Sequence, residues 1–158
     1  MVGFFIKLPL YGLHTWLPKA HVEAPSVGSA LLAGLLLKLG GFGILRFVSL
    51  CVEHTSILKI VVTVSFIGLL MVGVLCYRLM DLKVLIAYSS VVHMRLIGGV
   101  CLIPREFSYL GVVLVMVGHG FISAGLFLKL DLYYSAVGSR KLLLTSGFFL
   151  NMGLGAFV

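Results

Sequence analysis

The sequence predicts an all-α fold, a polytopic transmembrane helix bundle with a broken helix, and two observations carry that prediction. Of the 158 residues, 61% are hydrophobic and 11% charged, against roughly a quarter charged in an ordinary soluble domain. So much apolar surface cannot be hidden in so small a core, because a domain of about 150 residues still leaves about a third of its unfolded surface exposed. The charges also punctuate the chain into apolar runs, several near the ~20 residues that cross the hydrocarbon of a bilayer. Lipid is therefore the solvent for most of the chain, and a soluble globular protein is excluded.

Six helical segments are expected within a single transmembrane domain, 1–158. The first, 1–13, contains Lys7-Leu8-Pro9, and a proline inside a helix frees a backbone carbonyl and breaks or kinks the helix. The second, 24–45, is interrupted only by Lys38. The third, 57–79, and the fifth, 107–128, contain the clearest runs, Ile60–Tyr77 and Phe107–Leu128, both without Asp, Glu, Lys or Arg. The fourth, 84–104, carries His93 and Arg95. The sixth, 142–158, is short for a crossing, like the first, and both run into a chain end, which suggests a truncated or split polypeptide. A signal peptide is not expected, since Lys7 sits inside the apolar stretch and no small-residue cleavage site follows. The 19 glycines, scattered through the helices, suit close backbone packing in lipid.

Between the first two segments, Leu13–Pro25 holds Trp16, His14, His21 and Glu23 among prolines. The prolines forbid one regular helix and Trp16 favours an interface, so a tight re-entrant or interfacial connector is expected. His14 and His21 lie seven apart with no third ligand type nearby, and metal is not expected.

The net charge of +7 comes from twelve Lys and Arg scattered singly, with no basic face, so nucleic acid is not a partner. The charges are better read as topology. With six alternating spans, one set of loops carries Lys19, Arg78, Lys83, Lys129, Arg140 and Lys141, the other Arg46, Lys59 and Arg105. The richer side should be the inside, the matrix if the protein is mitochondrial. Cys51, Cys76 and Cys101 never form a Cys-x-x-Cys pair and read as small apolar helix residues rather than ligands of zinc or an iron–sulfur cluster.

Four segments bear groups that could carry chemistry. Lys38 lies well inside its helix with no carboxylate in the same span; a lysine there costs about 2.5–3.5 kcal/mol on insertion scales unless it faces a polar interior. It reads either as a lysine snorkelling to an interface or as a proton-titrating group. Lys7 sits at a helix discontinuity, the arrangement transporters use for ions, or else anchors a helix end. His119, between Gly118 and Gly120 in a charge-free span, suits a proton relay or a helix–helix hydrogen bond. His93 and Arg95, two apart, point in different directions. Together these groups could form a polar axis through the bilayer, and no Gly-rich nucleotide loop, Cys cluster or convincing haem pair accompanies them.

The run Lys7-Leu8-Pro9-Leu10-Tyr11-Gly12-Leu13-His14-Thr15-Trp16-Leu17-Pro18-Lys19-Ala20-His21-Val22-Glu23-Ala24-Pro25 closely resembles chain 4 of the proton-pumping NADH:ubiquinone oxidoreductase, respiratory complex I. The likeness continues through Leu35–Arg46, Asp81–Met94, His119-Gly120, Leu126-Phe127 and Ser139-Arg140, nearly the whole chain. That family comprises antiporter-like subunits of the membrane arm, built of two inverted repeats, and this chain resembles part of the second, from the broken helix on.

The resemblance implies that Lys7 and Lys38 carry protons, that His119 continues their axis, and that His93, Arg95, His14, His21 and Glu23 could border it. It implies a place in the mitochondrial inner membrane, as a multi-pass subunit among other membrane-arm subunits, especially neighbouring antiporter-like ones. No cofactor is implied in this chain, since FMN, iron–sulfur clusters and ubiquinone belong to other subunits. The family's glutamate on an earlier helix would precede Met1, and its later double proline and acidic residue are missing from Phe148–Gly155, so the chain alone is not expected to be a complete pump. Arg95 and Lys129 also depart from the pattern. Two other readings stay open: a cation/proton antiporter or membrane hydrogenase subunit, and a structural membrane spacer.

Overall fold

A computed structural model of the chain describes residues 2–10, 12–48, 55–103 and 106–142. The described residues are helical apart from turns, with no strand; a single bridge pairs Asp81 with Lys141. The expected segment at 142–158 lies almost wholly outside the described residues, as does Cys51.

Helix α1, Val2–Lys7, is six residues long. The chain then breaks at Pro9 and resumes as α2, Trp16–Glu23. This eight-residue helix lies where the sequence predicts only a connector. Pro18 is its third residue, in the first turn, where a backbone N–H would have no intrahelical partner anyway, so the proline does not oppose the helix. Ala24, next to Pro25, is extended at ψ 149°, the conformation a residue before proline favours, and that ends α2.

Three further helical stretches follow as one rod, Ser26–Val48: α3 (Ser26–Leu31), a π-helical turn (Leu32–Leu36) and α4 (Leu37–Val48). In that turn the Leu37 N–H donates to the Leu32 carbonyl, five residues back, one more than in an α-helix. Helix α5 is Thr55–Cys76 and α6 is Leu82–Cys101. Helix α7, Glu106–Val137, runs 32 residues, about 48 Å at 1.5 Å per residue. The sequence places its end at Leu128; it continues through Lys129 and Asp131 because hydrocarbon thickness limits the apolar run and not the helix. Lys19 and Lys129, expected in loops, therefore lie within α2 and α7. Among the described residues four helices are long and apolar enough to span a membrane: Ser26–Val48, Leu58–Cys76, Leu82–Cys101 and Phe107–Val137.

Helix α6 is the hub. It packs against α5, α7 and α2, while α3 packs on α7 and α1 on α4. The core between them holds Leu8, Leu17, Leu37, Ile44, Met94 and Ile97, all buried. The short helix α1 reaches α4 through glycine: a Cβ on Gly40 would meet the Lys7 Cβ at 3.0 Å and the Leu8 nitrogen at 3.2 Å, and one on Gly43 would overlap the Phe4 ring. Large apolar side chains such as Leu70, Val74, Phe107 and Phe121 point outward, as they must where lipid or a partner helix is the solvent.

Candidate functional site

The π turn delivers Lys38 to α7. Lys38 is the second residue of α4, directly after that turn, and its half-buried side chain donates to the Ala33 carbonyl and reaches His119 Nδ1 at 2.8 Å. When Lys38 is an ammonium it donates to Nδ1 and the imidazole proton rests on Nε2; when Lys38 is an amine the roles can reverse. Gly120 makes room for this contact: a Cβ there would stand 3.5 Å from the Lys38 Cε and from the Gly34 carbonyl oxygen.

His119 is buried, and its ring lies 5.5 Å from that of His93 on α6, tilted by 52°. Lys38, His119 and His93 thus form a row across three helices. Beside the row, α6 and α7 line a half-open cavity of about 230 Å³, walled by Ser89, Ser90, His93, His119 and Ser123 among apolar residues. That is room for several waters against polar partners. A chain of titratable nitrogens and hydroxyls with space for water can hold a proton at one group and hand it to the next.

The other expected residues stand elsewhere. Lys7 is exposed at the end of α1. Glu23 is exposed at the end of α2. His93 and Arg95 point apart: His93 meets His119, whereas Arg95, 2% exposed, turns to the broken segment and donates through Nε to the Pro9 carbonyl at 3.1 Å. His14 presents its ring edge-on to Tyr88 at 6.5 Å, and burial first, then the charge of Arg95, lowers its pKa. His21 is fully buried and stacks on Phe127 of α7. Burial, reinforced by the charge of Lys83, lowers its pKa to about 4, so its ring is neutral at physiological pH.

Lys83, like Lys19 and Lys129, is not the loop charge that the sequence suggests. Counted as a loop charge, it is in fact 7% exposed in the first turn of α6 and donates to the carbonyls of Val22, at 3.2 Å, and Ala24, at 2.7 Å. Its position one residue inside an apolar helix was the available signal; its partners, about sixty residues away, left none.

Comparison with known proteins agrees with this architecture. The family model described as NADH:quinone oxidoreductase/Mrp antiporter, TM, matches residues 1–158. Among curated relatives, the protein named NADH-ubiquinone oxidoreductase chain 4 from Struthio camelus is 48% identical over 148 residues, covering 93% of this chain and 32% of the relative. Proteins of the same name from Scyliorhinus canicula and Branchiostoma floridae are 43% and 44% identical, covering 93% and 98% of this chain and 32% and 38% of their own length. The chain thus spans about a third of the length of the curated relatives it matches. A bundle of membrane-length helices with a broken first segment, matched over its whole length by one family model, leads to one conclusion: the chain belongs to the NADH:quinone oxidoreductase/Mrp antiporter transmembrane family.

Proposed function

We propose that this chain moves protons through the row Lys38, His119 and His93, as part of the membrane arm of a mitochondrial NADH:ubiquinone oxidoreductase, driven by redox chemistry in other subunits. The observation that carries the reading is the 2.8 Å contact between Lys38 Nζ and His119 Nδ1, linking two membrane-length helices beside a cavity with room for water. In this reading Lys38 holds a proton and yields it to His119, and His93 with the cavity waters carries it on. Lys7 supplies a second titratable charge at the break, and the acidic partners it needs come from other parts of the assembly. FMN, iron–sulfur clusters and ubiquinone serve the other subunits. The membrane in question is the mitochondrial inner membrane, with Arg140 and Lys141 on the matrix side.

Replacing Lys38 by Met in the assembled complex tests this. The expected result is loss of proton pumping with NADH oxidation and assembly largely kept. An unchanged proton-to-electron ratio would sink the proposal. A structural-spacer role has one contact in its favour, the Lys38 bond to the Ala33 carbonyl within its own helix, and it predicts that Lys38→Met lowers assembly before it lowers coupling.

A further inference from the structure

Helix α6 meets the broken segment at both of its ends, each time through a cation. Arg95 donates to the Pro9 carbonyl at 3.1 Å, at the break. Lys83 donates to the Val22 and Ala24 carbonyls at 3.2 and 2.7 Å, at the end of α2. The two cations stand twelve positions apart on α6, about 18 Å along a helix.

The carbonyls they reach lie where the helix is interrupted, so the backbone donors that a continuing helix would bring are displaced. In a continuing α-helix the Leu13 N–H would bond to Pro9; here it bonds to the Leu10 carbonyl at 2.9 Å. At the other end the chain turns extended at Ala24, so Ser26 and Gly28, which would donate to the Val22 and Ala24 carbonyls in a continuing α-helix, no longer follow on the same helix. Carbonyls at a helix end carry partial negative charge, so cations are the matched donors, and charge-assisted bonds are the stronger kind. Both cations are buried, so water competes little for either bond.

We propose that Arg95 and Lys83 are positioning residues, two cations of α6 that splint the broken segment at both ends and so fix where α1 and α2 stand against the membrane-spanning helices. Any consequence for transport rests on the proton-translocating reading; the splint itself does not.

Hydrogen–deuterium exchange in the intact complex, resolved to single amides, reads each end separately. The Leu13 N–H, bonded to Leu10, reports the break, and the Ala24 N–H, bonded to the Ala20 carbonyl at 3.0 Å, reports the end of α2. Arg95→Met should speed exchange at Leu13 by about tenfold, as expected for one lost charge-assisted bond, and leave Ala24 unchanged. Lys83→Met should do the reverse. Equal acceleration at both amides in both variants means general loosening and overturns the proposal, as does unchanged exchange at Leu13 in Arg95→Met. Should a Met variant fail to assemble, Arg95→Gln and Lys83→Gln are read at the same two amides with the same one-ended expectation. Exchange reports the splint whether or not protons move, so its outcome is separate from that of Lys38→Met.

Discussion

The imidazole of His21 lies flat on the ring of Phe127, centroids 4.7 Å apart and planes 12° from parallel. The contact docks the short helix α2 on the long helix α7, and Ser29 secures the same turn by donating to the His21 carbonyl at 3.1 Å. Neither ring nitrogen of His21 has a hydrogen-bond partner among the described residues.

That neutral, buried ring makes a pH prediction. The folded-state pKa, about 4, lies below the ordinary 6.5, so as pH falls the unfolded chain takes up the proton first. Stability is therefore full above pH 6.5 and is lost as pH falls from there toward 4. His21→Phe keeps a ring against Phe127 and removes the titration. Thermal unfolding of the assembled complex at pH 7.5 and pH 5 should show a smaller acid-side loss in the variant; identical losses would count against it.

Gly43 receives the Phe4 ring, which in turn lies 5.6 Å from Phe47. Gly43→Val forces the ring aside and should destabilise by about 1–3 kcal/mol, the usual range for overpacking. Adding Phe4→Ala should recover part of that loss, because the two positions share one space. Melting temperatures of the single and double variants decide it, and strict additivity would refute the packing account.

If His119 and His93 work in series, losing either breaks the same route. His119→Phe and His93→Phe should each slow proton transfer by about a hundredfold or more, the low end of what a positioned acid–base group contributes, and the double variant should be no slower than either. Proton uptake by reconstituted complex is the readout. A double variant much slower than both singles would mean two parallel routes.

The indole N–H of Trp16 donates to the Ile6 carbonyl at 3.2 Å, across the break. Ile6 needs this donor because the Leu10 N–H is directed to Phe5 instead. Trp16→Phe keeps the ring and deletes the bond, and should cost about 0.5–1.5 kcal/mol, visible as a lower melting temperature. A melting temperature equal to the parent's would mean that water replaces the indole at no cost.

Much of this molecule is legible in its residue order because lipid imposes a simple rule. Runs of about 20 apolar residues had to become helices to satisfy their backbone polar groups, and Lys38 and His119 stood out because a charge or imidazole there is costly. The break followed from Pro9. What sequence could not supply is the set of contacts between distant residues. Nothing in the order of residues says that Lys83 turns back to α2, or that His93 and not Arg95 meets His119. Helix α2 was masked by Pro18, which opposes a helix interior and not a first turn. Helix α7 outran its apolar stretch because Lys129 and Asp131 are compatible with a helix wherever water is at hand. The π turn left no visible mark, since a widened turn uses the same residues as a regular one.

A π-helical turn is an α-helix holding one residue too many, so the 23-residue rod Ser26–Val48 has the reach and facing of a regular helix one residue shorter. Deleting a single residue from Leu32–Leu36 would close the swelling and leave both flanks in register, whereas a deletion elsewhere in the rod would swing every later side chain by about 100°. Ahead of Lys38 the rod thus has one place where its length can change without Lys38 turning away from His119.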